Sequence, residues 1–312
     1  MGNKKGSYRE FCNSKQNLPV FLYDWWLDAV CGSDSWDIAV VQPDNEILAF
    51  LPYYTKKVLW FDISILPQLT QFLGSWINYP NDLKPSNKAE YEKKMMNELL
   101  EQLPETQYFE QNFHYSVENW LPFYWKGYEQ TTRYTYIIED IEHTSRIFES
   151  FSPSKRKNIR KAEEQIEIRF DMKAEDFYDH HKMTLEKQGM KISYSKELFK
   201  KIFDASYSHN AGKTIYAVDK NGTVHSALFV VWSKYSAYDL ISSIDPDHKN
   251  SESASLLVWE MIKFLSSKTH RFDFEGSMIE SVERSFRQFG TVQKAYFNIR
   301  KCNSLSYKIF RN

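Results

Sequence analysis

Apolar and polar residues alternate along this chain with two periods, and the change from one period to the other marks out the elements. Residues 271–275, Arg-Phe-Asp-Phe-Glu, alternate with period two, so a strand there puts Phe272 and Phe274 on one side and Asp273 and Glu275 on the other. A Gly-Ser turn follows, then an amphipathic helix over 279–289 closed by Gly290. Strands are predicted at 36–42, 46–54, 57–61, 107–113 and 134–139, and again at 166–171, 213–219, 223–232, 235–243 and 291–300. Helical spacing predicts helices at 19–31, 88–103, 144–151, 154–165, 174–188, 195–209 and 252–267. Pro43-Asp44-Asn45, Lys220-Asn221-Gly222 and Ser233-Lys234 read as hairpin turns. Residues 66–74 and 80–87 read as loops, and 114–133 as an aromatic, irregular stretch.

Antiparallel strands, a helix, a strand, a helix and a final strand make an α+β plan, and each half of the chain runs it once. The polar break Asp140-Ile141-Glu142-His143-Thr144 places the expected boundary after residue 142, giving domains 1–142 and 143–312. A length of 312 residues accommodates two domains of ordinary size.

Composition narrows the function classes. Hydrophobic residues at 42% and charged residues at 26% describe an ordinary globular protein. A net charge of −1 gives no global field towards nucleic acid or an anionic membrane, so DNA is not an expected partner. Aromatics at 16% suit thick cores first and stacking surfaces second. Cys12, Cys31 and Cys302 are scattered and odd in number, with neither a disulfide framework nor metal-ligand spacing, which fits a reducing compartment. The polar start and the lack of any apolar run of membrane-spanning length make the expectation a cytoplasmic protein without a membrane span.

Four groups of residues carry candidate chemistry. Asp273 and Glu275, at a strand end beside a turn and a helix start, suit proton handling or holding a cation; the competing reading is a wet strand face. In the basic run Lys155-Arg156-Lys157-Asn158-Ile159-Arg160-Lys161, Arg156 and Arg160 share a helix face that suits phosphate, against a plain solvated face balanced by Glu163 and Glu164. His225 has the chemistry of a general base, although a lone strand histidine is more often structural. Tyr238 shares a cleft with Asp273 if their strands are neighbours. No metal site, nucleophile elbow, Walker loop or dinucleotide fingerprint is present in the sequence.

Three local stretches, in this order, carry a family resemblance: Lys155 to Ala162, Phe272-Asp273-Phe274-Glu275-Gly276-Ser277, and Phe286-Arg287-Gln288-Phe289-Gly290. Leu73-Gly74 and Arg133-Tyr134-Thr135-Tyr136 match more loosely. With them the chain resembles acyltransferases of the GNAT superfamily, in particular the Fem-like branch and the acetyltransferases of bacterial polysaccharide gene clusters. The resemblance implies tandem GNAT-like domains, each a mixed, mostly antiparallel sheet flanked by helices, the first a support and the second holding the cleft. It implies an N-acyltransferase moving an acyl or aminoacyl group from acyl-CoA or aminoacyl-tRNA to an amine on an amino sugar, peptide or glycan precursor, by direct attack. Asp273, Glu275 and Tyr238 are then the expected catalytic residues, and Arg287, Arg156, Arg160 and His225 the substrate-binding ones. Arg287 stands where the Fem pattern has lysine, and Glu252 where the GNAT diphosphate loop has glycine. Residues 174–209 are too short and aromatic for the coiled-coil arm that Fem proteins use on tRNA, so tRNA is a possible partner that is not favoured, and acyl-CoA, against which the Glu252 substitution counts, is a possible donor. The alternative expectation is a non-catalytic GNAT-like module that binds a glycan or a nucleotide-linked ligand.

Overall fold

The fold is that of a computed structural model, which describes residues 4–15 and 17–311. The chain divides into two compact units. One comprises Met1–Lys15, Phe21–Arg133 and Ala295–Asn312, the other Gln16–Val20 and Tyr134–Lys294. A single cut at 142 does not describe them, because residues 134–142 belong with the second unit and the last eighteen residues return to the first.

The first unit opens with α1 (Lys4–Ser14) and α2 (Asp24–Cys31), then β1 (Trp36–Val41), β2 (Ala49–Val58), β3 (Phe61–Ser64), β4 (Trp76–Ile77), α3 (Lys88–Leu100), β5 (Tyr108–Asn112) and α4 (Leu121–Trp125). Neither α1 nor the final helix was predicted. The helix predicted from residue 19 begins instead at Asp24, after a 3₁₀ turn, because Val20, Phe21 and Leu22 are all buried and leave no polar face. The strand predicted at 57–61 is a hairpin tip, with Val58 paired to Phe61 across Leu59 and Trp60. β2 pairs antiparallel with β1, β3 and β4, and β3 runs parallel to β5. Alternation along the strands supplies two faces. Ala39, Val41, Ala49 and Leu51 meet Met95, Met96 and Leu99 of α3, while Phe50 on the other face packs edge-on against Tyr8 of α1.

The second unit takes the end of β6 (Glu129–Ile138), which starts five residues before the predicted strand. It continues through α5 (Thr144–Ser150), α6 (Pro153–Glu163), β7 (Glu167–Phe170), α7 (Ala174–Lys187), α8 (Lys196–Ser208), β8 (Gly212–Val218), β9 (Val224–Trp232), β10 (Ala237–Ile244), α9 (Ser253–Leu265), β11 (Phe272–Asp273) and α10 (Glu280–Arg287). The strand order is β6-β11-β10-β9-β8-β7, antiparallel except for the parallel pair β10–β11. Both faces are covered, so β9 reads as a continuous apolar run. Leu228, Val230 and Trp232 join the core under α9, and Phe229 between them packs on Phe177 and Phe199 of α7 and α8. The chain then enters β12 (Val292–Cys302), whose last residues pair with β5 in the first unit, and ends in α11 (Leu305–Arg311).

Each unit is thus a mixed, mostly antiparallel sheet flanked by helices, as the sequence predicts.

Candidate active site

β11 is only two residues long, and its brevity builds the site. Tyr238 sits opposite Asp273 in the parallel β10–β11 pair, so the neighbourhood expected of these two residues is real. Both are fully buried, as is Phe272. Phe272 and Phe274 meet edge-on, with ring centroids 5.0 Å apart, and Phe274 goes on to pack against Phe286 and Phe289. That apolar side anchors the strand and leaves Asp273 on the other.

After Phe274 the alternation breaks. Glu275 lies at φ +57° and Gly276 at φ +71°. A non-glycine residue held in the left-handed region is strained, by about 1 kcal/mol. Gly276 is obligatory here, because a Cβ at this position would lie 2.0 Å from the Tyr134 carbonyl oxygen and 2.8 Å from Thr135 Cα. The turn therefore clasps β6, and this close approach brings Thr135 onto the acids. Its Oγ1 donates to Asp273 Oδ1, which also accepts the Glu275 backbone N–H at 2.8 Å.

A third carboxylate completes the cluster. Asp239, on β10 beside a bulge, is buried, and both of its oxygens accept from Ser242 Oγ at 3.0 and 3.1 Å. Burial pushes its pKa up to about 7, the Ser242 bond opposes the rise, and the Asp273 charge adds to it. Glu275 is pushed well above the ordinary carboxylate range, first by burial and then by the charges of Asp273 and Asp239. Its Oε1 is buried without a hydrogen-bond partner among the described residues. An orphan oxygen on a strained backbone among like charges is an arrangement poised to take a proton or hold an ammonium.

A buried cation lies in the same unit. Lys155, in the first turn of α6, is 4% exposed. Its Nζ donates to Ser255 Oγ at 3.0 Å and Ser285 Oγ at 3.4 Å, and stands 4.4 Å from the centre of the Phe289 ring. Among the described residues it has no carboxylate within ion-pair distance. Burial lowers its pKa, with Glu252 partly opposing. Ser255 lies in the first turn of α9, so the ammonium and a helix N-terminus converge on one place. Glu252, just before that helix, has φ +60°, the backbone shape in which a glycine was expected.

The other expected residues lie elsewhere. Arg287 is exposed on α10 and ion-paired to Glu283 at 3.0 Å. Arg156 donates to the Glu149 carbonyl, and Arg160 lies over the Phe148 ring. His225 is stacked on His248, with centroids 4.1 Å apart, and lies 3.4 Å from Asp219. The β9–β10 register puts it some six residues from Tyr238, roughly 20 Å along the strands. The structure thus gathers Asp273, Glu275 and Tyr238, and adds Asp239 and Thr135; Lys155 stands apart from them, on the Phe289 side. Asp239 had one visible signal, a lone acid inside an apolar strand. Thr135 had none, since its role depends on strand pairing. Among the described residues no group of three or more His, Cys, Asp or Glu is placed to hold a metal.

Residues 150–278 match the acetyltransferase (GNAT) domain family. That span contains Lys155, Asp239, Asp273, Glu275 and Gly276. Among solved structures, FemX matches with a TM-score of 0.71 at 12% identity, covering 100% of this chain and 98% of its own. L-PGS from Bacillus licheniformis matches at 0.55 and 10%, over 98% and 94% of the two chains. A tandem GNAT protein from the clavulanic acid biosynthesis pathway matches at 0.55 and 8%, over 97% and 96%. Among curated proteins, none matches by sequence.

Proposed function

We propose that this chain, whose residues 150–278 match the acetyltransferase (GNAT) domain family and whose fold is similar to that of FemX, transfers an acyl or aminoacyl group to the amine of an amino sugar, peptide or glycan precursor. The observation that carries the reading is the orphan Glu275 oxygen among Asp273 and Asp239, inside that domain. The acceptor enters as an ammonium and is held by Asp273, which Thr135 and the Glu275 N–H keep in place. Glu275 takes one proton. The freed nitrogen attacks the acyl carbonyl and a C–N bond forms; the bond from carbonyl carbon to the donor's leaving atom breaks, and that atom takes the second proton from the nitrogen, with no acyl-enzyme. Tyr238, opposite Asp273, positions the carbonyl.

Lys155 gives the donor side its cation. A buried ammonium bonded only to hydroxyls is complemented by an anion, which supports a donor bearing phosphates. Acyl-CoA is the donor class that the GNAT domain implies, and aminoacyl-tRNA is the second.

The test is acyl transfer to amino-sugar and peptide acceptors, followed by release of the free thiol from acyl-CoA. Glu275→Gln is expected to lower kcat by about 10²–10⁴-fold with little change in acceptor KM. An active Glu275→Gln enzyme would sink the assignment. One observation favours a second reading, a binding module: Glu252 replaces glycine beside the Lys155 ammonium and repels a diphosphate. Calorimetry separates the two, because glycan binding without any acyl-CoA or aminoacyl-tRNA binding would make the chain a module.

A further inference from the structure

The first unit exposes apolar side chains where a water-facing surface has no use for them. The β2–β3 hairpin turns through two residues, and the residue entering the turn, Leu59, lies at φ +55°. Glycine or asparagine is the ordinary choice there. Instead the tip is Leu59-Trp60, 60% and 72% exposed. Phe61 next to it turns inward, with its ring 5.1 Å from Tyr307 and 5.6 Å from Phe310 of α11. Tyr307 is the buried side of that helix, while Leu305 and Ile309 stand 75% and 70% exposed. The hairpin tip and the outer side of α11 therefore form one apolar surface, joined through Phe61 and Phe310.

Cations ring this surface. Lys56 and Lys57 flank the tip and are exposed. Beside α11 opens a cavity of about 570 Å³ lined by Tyr108, Glu129, Arg300, Lys301 and Lys308. Lys308 is exposed and has no carboxylate within ion-pair distance among the described residues. The nearby acids are engaged: Asp62 with Lys57, Glu129 with Arg300, and Glu110 with Tyr108 and Asn298. Lys301 donates to the Lys126 carbonyl and lies over the Tyr128 ring.

We propose that the Leu59-Trp60 hairpin tip and α11 dock the first unit onto the surface of an anionic lipid bilayer, with headgroup phosphates taken by Lys308. The apolar groups stand exposed at a hairpin tip and along one side of a helix, which suits a deformable surface better than a shaped partner. An indole at a tip flanked by lysines matches the boundary between headgroups and acyl chains. The chain's net charge of −1 gives no long-range pull, so the attraction is local to this patch. Among the described residues no helix is long and apolar enough to cross a membrane, so the contact is peripheral.

Cosedimentation of the full chain with vesicles tests this and needs no reaction, so it stands or falls apart from the acyltransferase reading. The chain is expected to pellet with phosphatidylcholine vesicles containing phosphatidylglycerol, and much less with phosphatidylcholine alone or at high salt. The double variant Leu59→Ser/Trp60→Ser is expected to lower the partition coefficient about tenfold or more. Its melting temperature should stay near wild type, since both side chains are exposed. Lys308→Glu should weaken binding to the anionic vesicles only. Pelleting with neither vesicle, or equal pelleting of wild type and double variant, overturns the proposal. So does a dimer in sedimentation equilibrium that the double variant dissolves, which would assign the patch to a second copy.

Discussion

Glu275 combines a left-handed backbone, a buried oxygen without a partner and two neighbouring carboxylates. Each is unfavourable to folding, and together they mark a residue kept for chemistry. Its pH behaviour follows from the cluster. A base must be ionised, so the rate is expected to climb with pH as Glu275, held well above the ordinary carboxylate range by burial and by the charges of Asp273 and Asp239, gives up its proton. Asp239→Asn removes a charge that raises the Glu275 pKa. The rising limb of the kcat/KM profile should therefore move to lower pH, and an unmoved limb would remove Asp239 from the cluster's electrostatics. Stability runs the other way. Asp239 holds its proton in the folded state up to about pH 7, whereas an unfolded aspartate releases it near pH 4. Between those values the native state binds more protons, so stability falls as pH rises. Asp239→Asn should raise the melting temperature at pH 8 and change it little at pH 4. Lys155→Met offers a parallel trade: removing a buried ammonium that has only hydroxyl partners should leave stability unchanged or higher. In the same variant the KM for a phosphate-bearing donor should rise about tenfold or more.

Among the elements, the turn after β11 matters most. Gly276 is pressed against the Tyr134 and Thr135 backbone, which cannot yield as a flexible side chain does. Gly276→Ala is expected to cost roughly 2–4 kcal/mol in urea unfolding and to abolish transfer, because the turn that sets Thr135 on Asp273 must open. The sequence showed the Asp273–Glu275 spacing and the Gly-Ser turn. It did not show that regular pairing ends at Asp273, so strand alternation explains Phe272, Phe274 and Asp273 but not Glu275. Glu275 joins Asp273 through a turn, not along a strand face. The basic run was legible too, but its helix has several faces. Arg160 is exposed, Arg156 half-buried and Lys155 buried, and only packing could decide between them.

Across the whole molecule, the chain leaves the first unit at residue 133 and returns at 295. The returning strand is structural: Asn298 to Cys302 pair with β5, and Ile299 is fully buried among Phe109, Phe113 and Phe123. Deleting residues 295–312 should therefore unfold the first unit, seen as loss of a cooperative thermal transition, although the site residues named above all lie outside the deleted stretch. An unchanged transition would show that the first unit does not depend on that strand. A boundary drawn from a polar break could not anticipate this, since the partner of β5 lies almost two hundred residues further along the chain.

The sequence by itself determined the α+β plan, the order of strands and helices in the second half, and Asp273 and Glu275 as the acids worth following. Those are local properties, written in period, turn chemistry and spacing. Tertiary structure decided what surrounds the acids: Asp239 from β10 on one side of β11, Thr135 from β6 on the other, and burial that lifts two carboxylates out of their ordinary range. The physical reason is that desolvation and charge coupling depend on which strands lie side by side, and residues a hundred or more positions apart meet only once the sheet has formed.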